Sequence, residues 1–255
     1  MLKTLQLHKI NPTHFVIGAL AFLFGLNIYL SSIISITFMY QLIVVAGTML
    51  TIELSIHFLK EQKRFFITNA AISSLIIAGI MDDQTPILYL VAMGAIASLS
   101  SELLRTNNRP IFNPAAFSLV LAALANTSIH YIWWINNPMV IVLPLSFLLI
   151  TLTNKWHTIL GFVAPLLLVY IYQNLSRDGL MINLINHIYA LAFFVGVMLI
   201  EPRTSPIYKN DQYIFGLVVG ISYIFLVQYT RNALLIALLF GNVTALISNK
   251  LKLKS

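Results

Sequence analysis

Ten apolar runs follow one another along this 255-residue chain with hardly any polar sequence between them, and that spacing constrains everything else. They lie at about 14–30, 36–59, 66–81, 86–104, 114–130, 138–154, 157–174, 183–200, 212–228 and 232–248. A helix crossing the hydrocarbon layer of a bilayer needs about 20 mostly apolar residues, so the runs match ten crossings and leave no chain for a soluble catalytic headgroup. Charged residues make up 9% of the chain, well below the roughly 25% of an ordinary soluble domain. The expectation is an all-α fold, a single integral membrane domain over residues 1–255 with about ten transmembrane helices. The basic start, Lys3 and Lys9, leads into the first run with no small-residue cleavage site after it, which reads as a first helix and not as a cleaved signal peptide.

The basic residues test the count. With the N-terminus in the cytoplasm, 13 of the 15 fall on the inner side, and only Arg177 and Arg231 fall outside. This predicts a multi-pass protein of the cytoplasmic (inner) membrane with both termini cytoplasmic. The net charge of +7 is then explained by topology and by contact with anionic lipid, so nucleic acid is not an expected partner. The absence of cysteine excludes disulfides, thiolate-held iron–sulfur clusters and cysteine nucleophiles from this chain, and no metal site is expected. Trp133 and Trp134, beside Tyr131 and His130, read as interfacial anchors in an outer loop.

A weak internal repeat organises the chain into pseudo-repeats at about 14–130 and 138–248. The third run ends at Met81-Asp82-Asp83-Gln84-Thr85-Pro86 and the eighth at Glu201-Pro202-Arg203-Thr204-Ser205-Pro206, so each meets acid, threonine and proline. An asparagine then opens the run after next, Asn113 being 30 positions beyond Asp83 and Asn232 being 31 beyond Glu201. Five helices per half is an odd number, so the second half must be inverted relative to the first. Inverted repeats place sites between broken helices whose ends supply partial charges.

The candidate ion or solute path residues are therefore Asp83, Asn113, Glu201, Thr204, Ser205 and Asn232, together with Glu53 and His57. In the transport reading, helix starts at Asn113 and Asn232 offer backbone amides to a polar solute or anion while the carboxylates attract a cation. The alternative is that the asparagines and hydroxyls cap helices and the acids sit in solvated turns. Glu53 lies inside the second run with His57 one turn on, on one helix face. It is either an intramembrane functional carboxylate or a side chain reaching the inner interface beside Lys60. Glu102 and Arg105, three apart, read as a helix-end ion pair. The polar Arg105-Thr106-Asn107-Asn108-Arg109-Pro110 stretch carries two cations that could meet a phosphate or simply set topology. Asn113 followed by Pro114 is a helix-start arrangement, and Ala115-Ala116 permits close packing.

Phe112-Asn113-Pro114-Ala115 after Arg109, the Glu201–Pro206 stretch and a final helix with Gly241-Asn242 resemble a family of membrane subunits. That family contains the D-type membrane subunit of the Rnf-type ion-translocating oxidoreductase and the B-type membrane subunit of the sodium-translocating NADH:quinone reductase. The resemblance runs from about residue 66 to the end. It implies two inverted five-helix halves, a fold also similar to urea channels, working with other membrane and redox subunits to couple electron transfer to sodium or proton movement. Glu201 stands where the family typically has aspartate. The family's Ser-Gly-Ala-Thr flavin-attachment motif is absent, the corresponding region reading Asn126-Thr127-Ser128-Ile129-His130. No covalent FMN is therefore expected, and at most a non-covalent flavin, FMN or riboflavin. The function expected is that of a membrane subunit of an Rnf-like complex, contributing its ion or electron path. The alternative is a stand-alone transporter or channel for a small solute or ion.

Overall fold

The computed structural model describes residues 12–30, 34–59, 67–82, 84–106, 109–125, 139–176 and 188–252. They are almost entirely helical, in ten helices, as the apolar runs predict. In chain order these are α1 (Pro12–Leu30), α2 (Ile34–Leu59), α3 (Ile67–Ile80), α4 (Ile87–Leu103), α5 (Pro114–Ala125), α6 (Met139–Thr153), α7 (Trp156–Ser176), α8 (Ile188–Phe193), α9 (Lys209–Leu226) and α10 (Ala233–Lys252). The helix ends follow the sequence signals within a few residues. The strands among the described residues form one small hairpin: β1 (Arg105–Thr106) pairs antiparallel with β2 (Arg109–Pro110), Arg105 opposite Pro110 and Thr106 opposite Arg109. The Trp133–Trp134 anchors, with His130 and Tyr131, and the hydroxyls Thr127 and Ser128 lie outside the described residues.

By length and composition, one described helix, Ile36–Leu59 within α2, is long and apolar enough to cross a membrane. Seven other apolar stretches are shorter, at 10–17 residues. A single apolar core runs through the bundle, from Val16 in α1 to Ala245 in α10. Outside it, large apolar side chains stand exposed on many helices, including Phe58 at 76% and Leu59 at 84% in α2, Leu168 in α7 and Phe225 in α9.

Three helix pairings recur with an offset of five helices, while the extensive α2–α3 contact has no comparable α7–α8 contact among the described residues. In the first half α1 packs on α3, α2 on α4, and α4 on α5; in the second α6 packs on α8, α7 on α9, and α9 on α10. Between the halves, α1 meets α6 and α5 meets α10. The α7–α9 contact is the most extensive, and glycine makes it possible. A Cβ placed on Gly216 would lie 2.1 Å from the Thr158 carbonyl oxygen, one on Gly161 2.3 Å from that of Tyr213, and one on Gly220 2.6 Å from that of Phe162. Gly216 and Gly220 are four apart on one face of α9, the small-xxx-small spacing that lets two helix backbones touch. Gly94 of α4 faces the Val45 carbonyl of α2 in the same manner, at 3.0 Å.

α8 does not end regularly. It continues as one π-helical turn, Phe194–Met198, closed by the Leu199 N–H donating to the Phe194 carbonyl at 2.8 Å. Such a turn inserts a residue and rotates the chain beyond it, and such turns are frequent at functional sites. Gly196 within it is where α6 approaches, its missing Cβ leaving room for Ser146.

Gly216→Leu should break the α7–α9 contact, because the obstructing atoms are backbone and cannot move aside; overpacking of this kind costs typically about 1–3 kcal/mol and here more. Gly47 in α2, with nothing within 4 Å of an added Cβ, is the control. In mild detergent, Gly216→Leu should lower the melting temperature and broaden the size-exclusion peak while Gly47→Ala leaves both unchanged. Equal behaviour of the two variants would refute the packing argument.

Candidate functional site

α5 begins as its residues dictate. Asn113 is the N-cap: its Oδ1 accepts from the Ala116 N–H at 2.9 Å, and its own carbonyl accepts from Phe117 at 2.9 Å. Pro114 occupies the first helical position, where no amide hydrogen is needed. Capping uses only the oxygen of the side chain. The amide nitrogen Nδ2 is turned to the end of α8 and donates to Glu201 Oε2 at 2.7 Å. Thr204 Oγ1 donates to the same oxygen at 3.0 Å. Behind them Asn242, from the middle of α10, accepts the Asn113 backbone N–H on Oδ1 at 3.0 Å and donates to the Thr204 carbonyl at 3.4 Å. Glu201 is 4% exposed, Asn113 1% and Asn242 0%. Burial pushes the Glu201 carboxyl above its ordinary value, and the hydrogen bond from Thr204, the charge of Arg203 and the hydrogen bond from Asn113 oppose that rise.

The Glu201–Pro206 connection is held from several sides. Ser205 Oγ donates back to the Glu201 carbonyl at 2.7 Å. Arg203 reaches across to α3, donating to Thr68 Oγ1 at 2.8 Å and to Asn69 Oδ1. From the α6–α7 turn, the Lys155 ammonium donates to the carbonyls of Ser205 and Pro206. Lys155 is placed there by a local device. Asn154 adopts the left-handed conformation, φ 54°, and ends α6 with the Lys155 N–H on Ile150 and the Asn154 N–H on Thr151, at 3.1 and 3.2 Å. Burial, and then the charge of Arg109, hold the Lys155 ammonium down at about 8 against an ordinary 10.5.

Beside this network lies a cleft of about 300 Å³ between the β1–β2 hairpin and the Glu201–Tyr208 connection, with Arg109, Arg203 and Asn242 on its walls. Arg105 is engaged by Glu102 at 2.9 Å, the ion pair expected from their spacing.

Of the eight candidate residues, the structure brings four together: Asn113, Glu201, Thr204 and Ser205. Asp83 lies outside the described residues. Asn232 precedes α10, and its Oδ1 is buried without a hydrogen-bond partner. It is ten residues before Asn242, about 15 Å along the helix axis, and does not join the cluster. Glu53 is buried in α2 with Oε1 lacking a partner, while His57 one turn on is half-buried. The α5 amides expected to face a solute are spent inside the protein, on Asn242 and on the Asn113 cap. Asn242 and Lys155 complete the site, and the sequence marked neither as a site residue. For Asn242 the signal was an amide in the middle of an apolar run; for Lys155 there was none, since its value as a topology marker accounted for it.

Asn113→Ala should cost about 2–4 kcal/mol, the sum of a lost N-cap and a buried acceptor deprived of its donor. Asn113→Ser should recover the cap alone and fall between the two, as read from melting temperatures in detergent. If alanine and serine behave alike, the cap contributes nothing. The Lys155 prediction has a sign. With the folded value near 8 and the unfolded near 10.5, the penalty of a buried charge is complete below pH 8 and is relieved as pH rises from 8 to 10.5. Relative to Lys155→Met, the wild type should therefore gain about 2 kcal/mol between pH 7.5 and 9.5; parallel stability curves would exclude it. Set against known proteins, the chain matches no family model and no curated protein.

Proposed function

We propose that this chain is a polytopic protein of the cytoplasmic membrane, built of two inverted five-helix halves, and that it forms the ion path of an Rnf-like electron-transport complex. The observation that carries the reading is the meeting of Asn113 and Glu201, 88 residues apart, at a helix start in one half and a helix break in the other. Sites in inverted-repeat transporters are built from broken helices in this way. A buried carboxylate with an amide and a hydroxyl on one oxygen is a binding element for sodium or a proton, both of which exchange with such donors.

The membrane reading is supported by the apolar exterior. Side chains such as Phe58, Leu59, Leu168 and Phe225 could not face water together without creating patches far beyond what soluble monomers tolerate. The inverted arrangement is supported by the helix pairings that recur with an offset of five and by the 13-to-2 division of basic residues. The place in an electron-transport complex is supported by the family resemblance of residues 66 to the end, and it requires companion redox subunits. Tyr208 is the aromatic residue that lines the cleft.

A stand-alone transporter is the second reading, favoured by the missing flavin-attachment motif. Sodium and proton flux into liposomes separates the cases. Flux carried by the purified chain alone favours the transporter, and flux that appears only with redox partners and an electron donor favours the complex. In either, Glu201→Gln and Asn113→Leu should each reduce flux at least tenfold, by roughly 1.4 kcal/mol or more on the rate-limiting step, with membrane insertion intact. Wild-type flux in both variants would remove the pair from the path.

A further inference from the structure

The cleft beside the Glu201 network has a composition that the ion path does not use. Arg109 and Arg203, with Thr106 and Tyr208, line it, and among the described residues no aspartate or glutamate does. Of the nearby acids, Glu102 is committed to Arg105 and Glu201 Oε2 to Asn113 and Thr204, while Glu53 acts on Arg203 through its charge. Arg203 is held in position by Thr68 and Asn69 of α3, so one wall of the cleft presents a charge whose geometry is set before any ligand arrives. Ile207, Ala245 and Leu246 supply an apolar part of the lining.

We infer that this cleft binds a phosphate ester, the phosphate between Arg109 and Arg203 and its carbon skeleton against Ile207 and Leu246. Guanidinium matches phosphate oxygens with paired, charge-assisted hydrogen bonds, and the surrounding electrostatics favour an added anion. Burial destabilises the charged form of Arg203; Glu201 and Glu53 oppose this, while the like charges of Arg105 and Arg109 add to it. A phosphate would relieve that repulsion. The volume of about 300 Å³ accommodates a headgroup-sized ester and not a large polymer. A membrane phospholipid and a soluble phosphate ester share this chemistry.

The test uses the full chain in neutral detergent, with melting temperature followed at constant ionic strength as either dihexanoyl phosphatidylglycerol or glycerol 3-phosphate is titrated. At least one probe should give saturable stabilisation. Arg109→Gln, in an exposed hairpin strand, should weaken it tenfold or more without lowering the unliganded melting temperature, since the charge removed is one that repels Lys155 and Arg203. Arg231→Gln, an exposed cation that does not line the cleft, should leave it as in the wild type. Stabilisation by the lipid alone identifies a headgroup site, and by glycerol 3-phosphate alone a soluble-ligand site. No saturable shift with either probe, or equal weakening by Arg109→Gln and Arg231→Gln, would overturn the inference. Binding is read here without transport, so failure of the ion-path reading leaves this result standing, and the reverse.

Discussion

The side chain of Asn113 serves two structures at once, and the rest of the site depends on that division. Its oxygen closes the first turn of α5, and its nitrogen replaces part of the hydration shell of Glu201. Aspartate could cap the helix but would set a second carboxylate against Glu201; serine could cap but not reach; leucine could do neither. An amide alone offers an acceptor and a donor on one short side chain. Because the two bonds pull on opposite ends of the same group, the start of α5 and the end of α8 are fixed relative to each other, and Asn242 fixes both relative to α10.

Such a contact is useful only if the helices around it do not drift, and close packing supplies that rigidity. Glycine at 161, 216 and 220 brings the α7 and α9 backbones into contact, and Gly94 does the same for α4 on α2. In the membrane reading proposed above, packing of this kind replaces the hydrophobic effect as the force between helices, since lipid tails are as apolar as the side chains they would displace. The α9 that is locked in this way leads directly from the Glu201–Tyr208 connection. The connection is consequently anchored at its far end by backbone contact and along its length by Lys155 and Arg203.

Much of the architecture was legible because an apolar helix declares itself by length and by its caps: Pro86 before α4 and Asn113-Pro114 before α5 mark starts that the structure places where expected. Half of the candidate cluster was legible for a related reason, since Asn113 and Glu201 interrupt apolar sequence with groups that must find partners. Which partner each finds was not. The repeat aligns Asp83 with Glu201 and Asn113 with Asn232, and alignment says which positions correspond, not which ones touch. Lys155 was hidden by a backbone conformation: only the left-handed Asn154 turns it toward the Ser205 and Pro206 carbonyls. The π-helical turn that delivers Glu201 depends likewise on tertiary fit around Gly196 and has no local code.

The pairing that forms can be understood from helix lengths. Within the second half, the acid-bearing turn and the asparagine are separated by a whole helix: α9, 18 residues and about 27 Å, lies between Glu201 and Asn232. They stand at opposite ends of a helix and cannot bond. A carboxylate of this chain can meet its asparagine only across the two halves, and only if the end of α8 is level with the start of α5. In two halves of the same orientation the end of α8 would be level with the end of α3, a full helix length from the start of α5. Inversion of the second half removes that offset, so the 2.7 Å Asn113–Glu201 bond supports an inverted arrangement on grounds independent of the count of basic residues. The site is a product of both halves of the chain, Asn113 coming from the start of α5 and Glu201, Thr204 and Asn242 from the residues between α8 and the middle of α10, such that neither five-helix unit contains it alone.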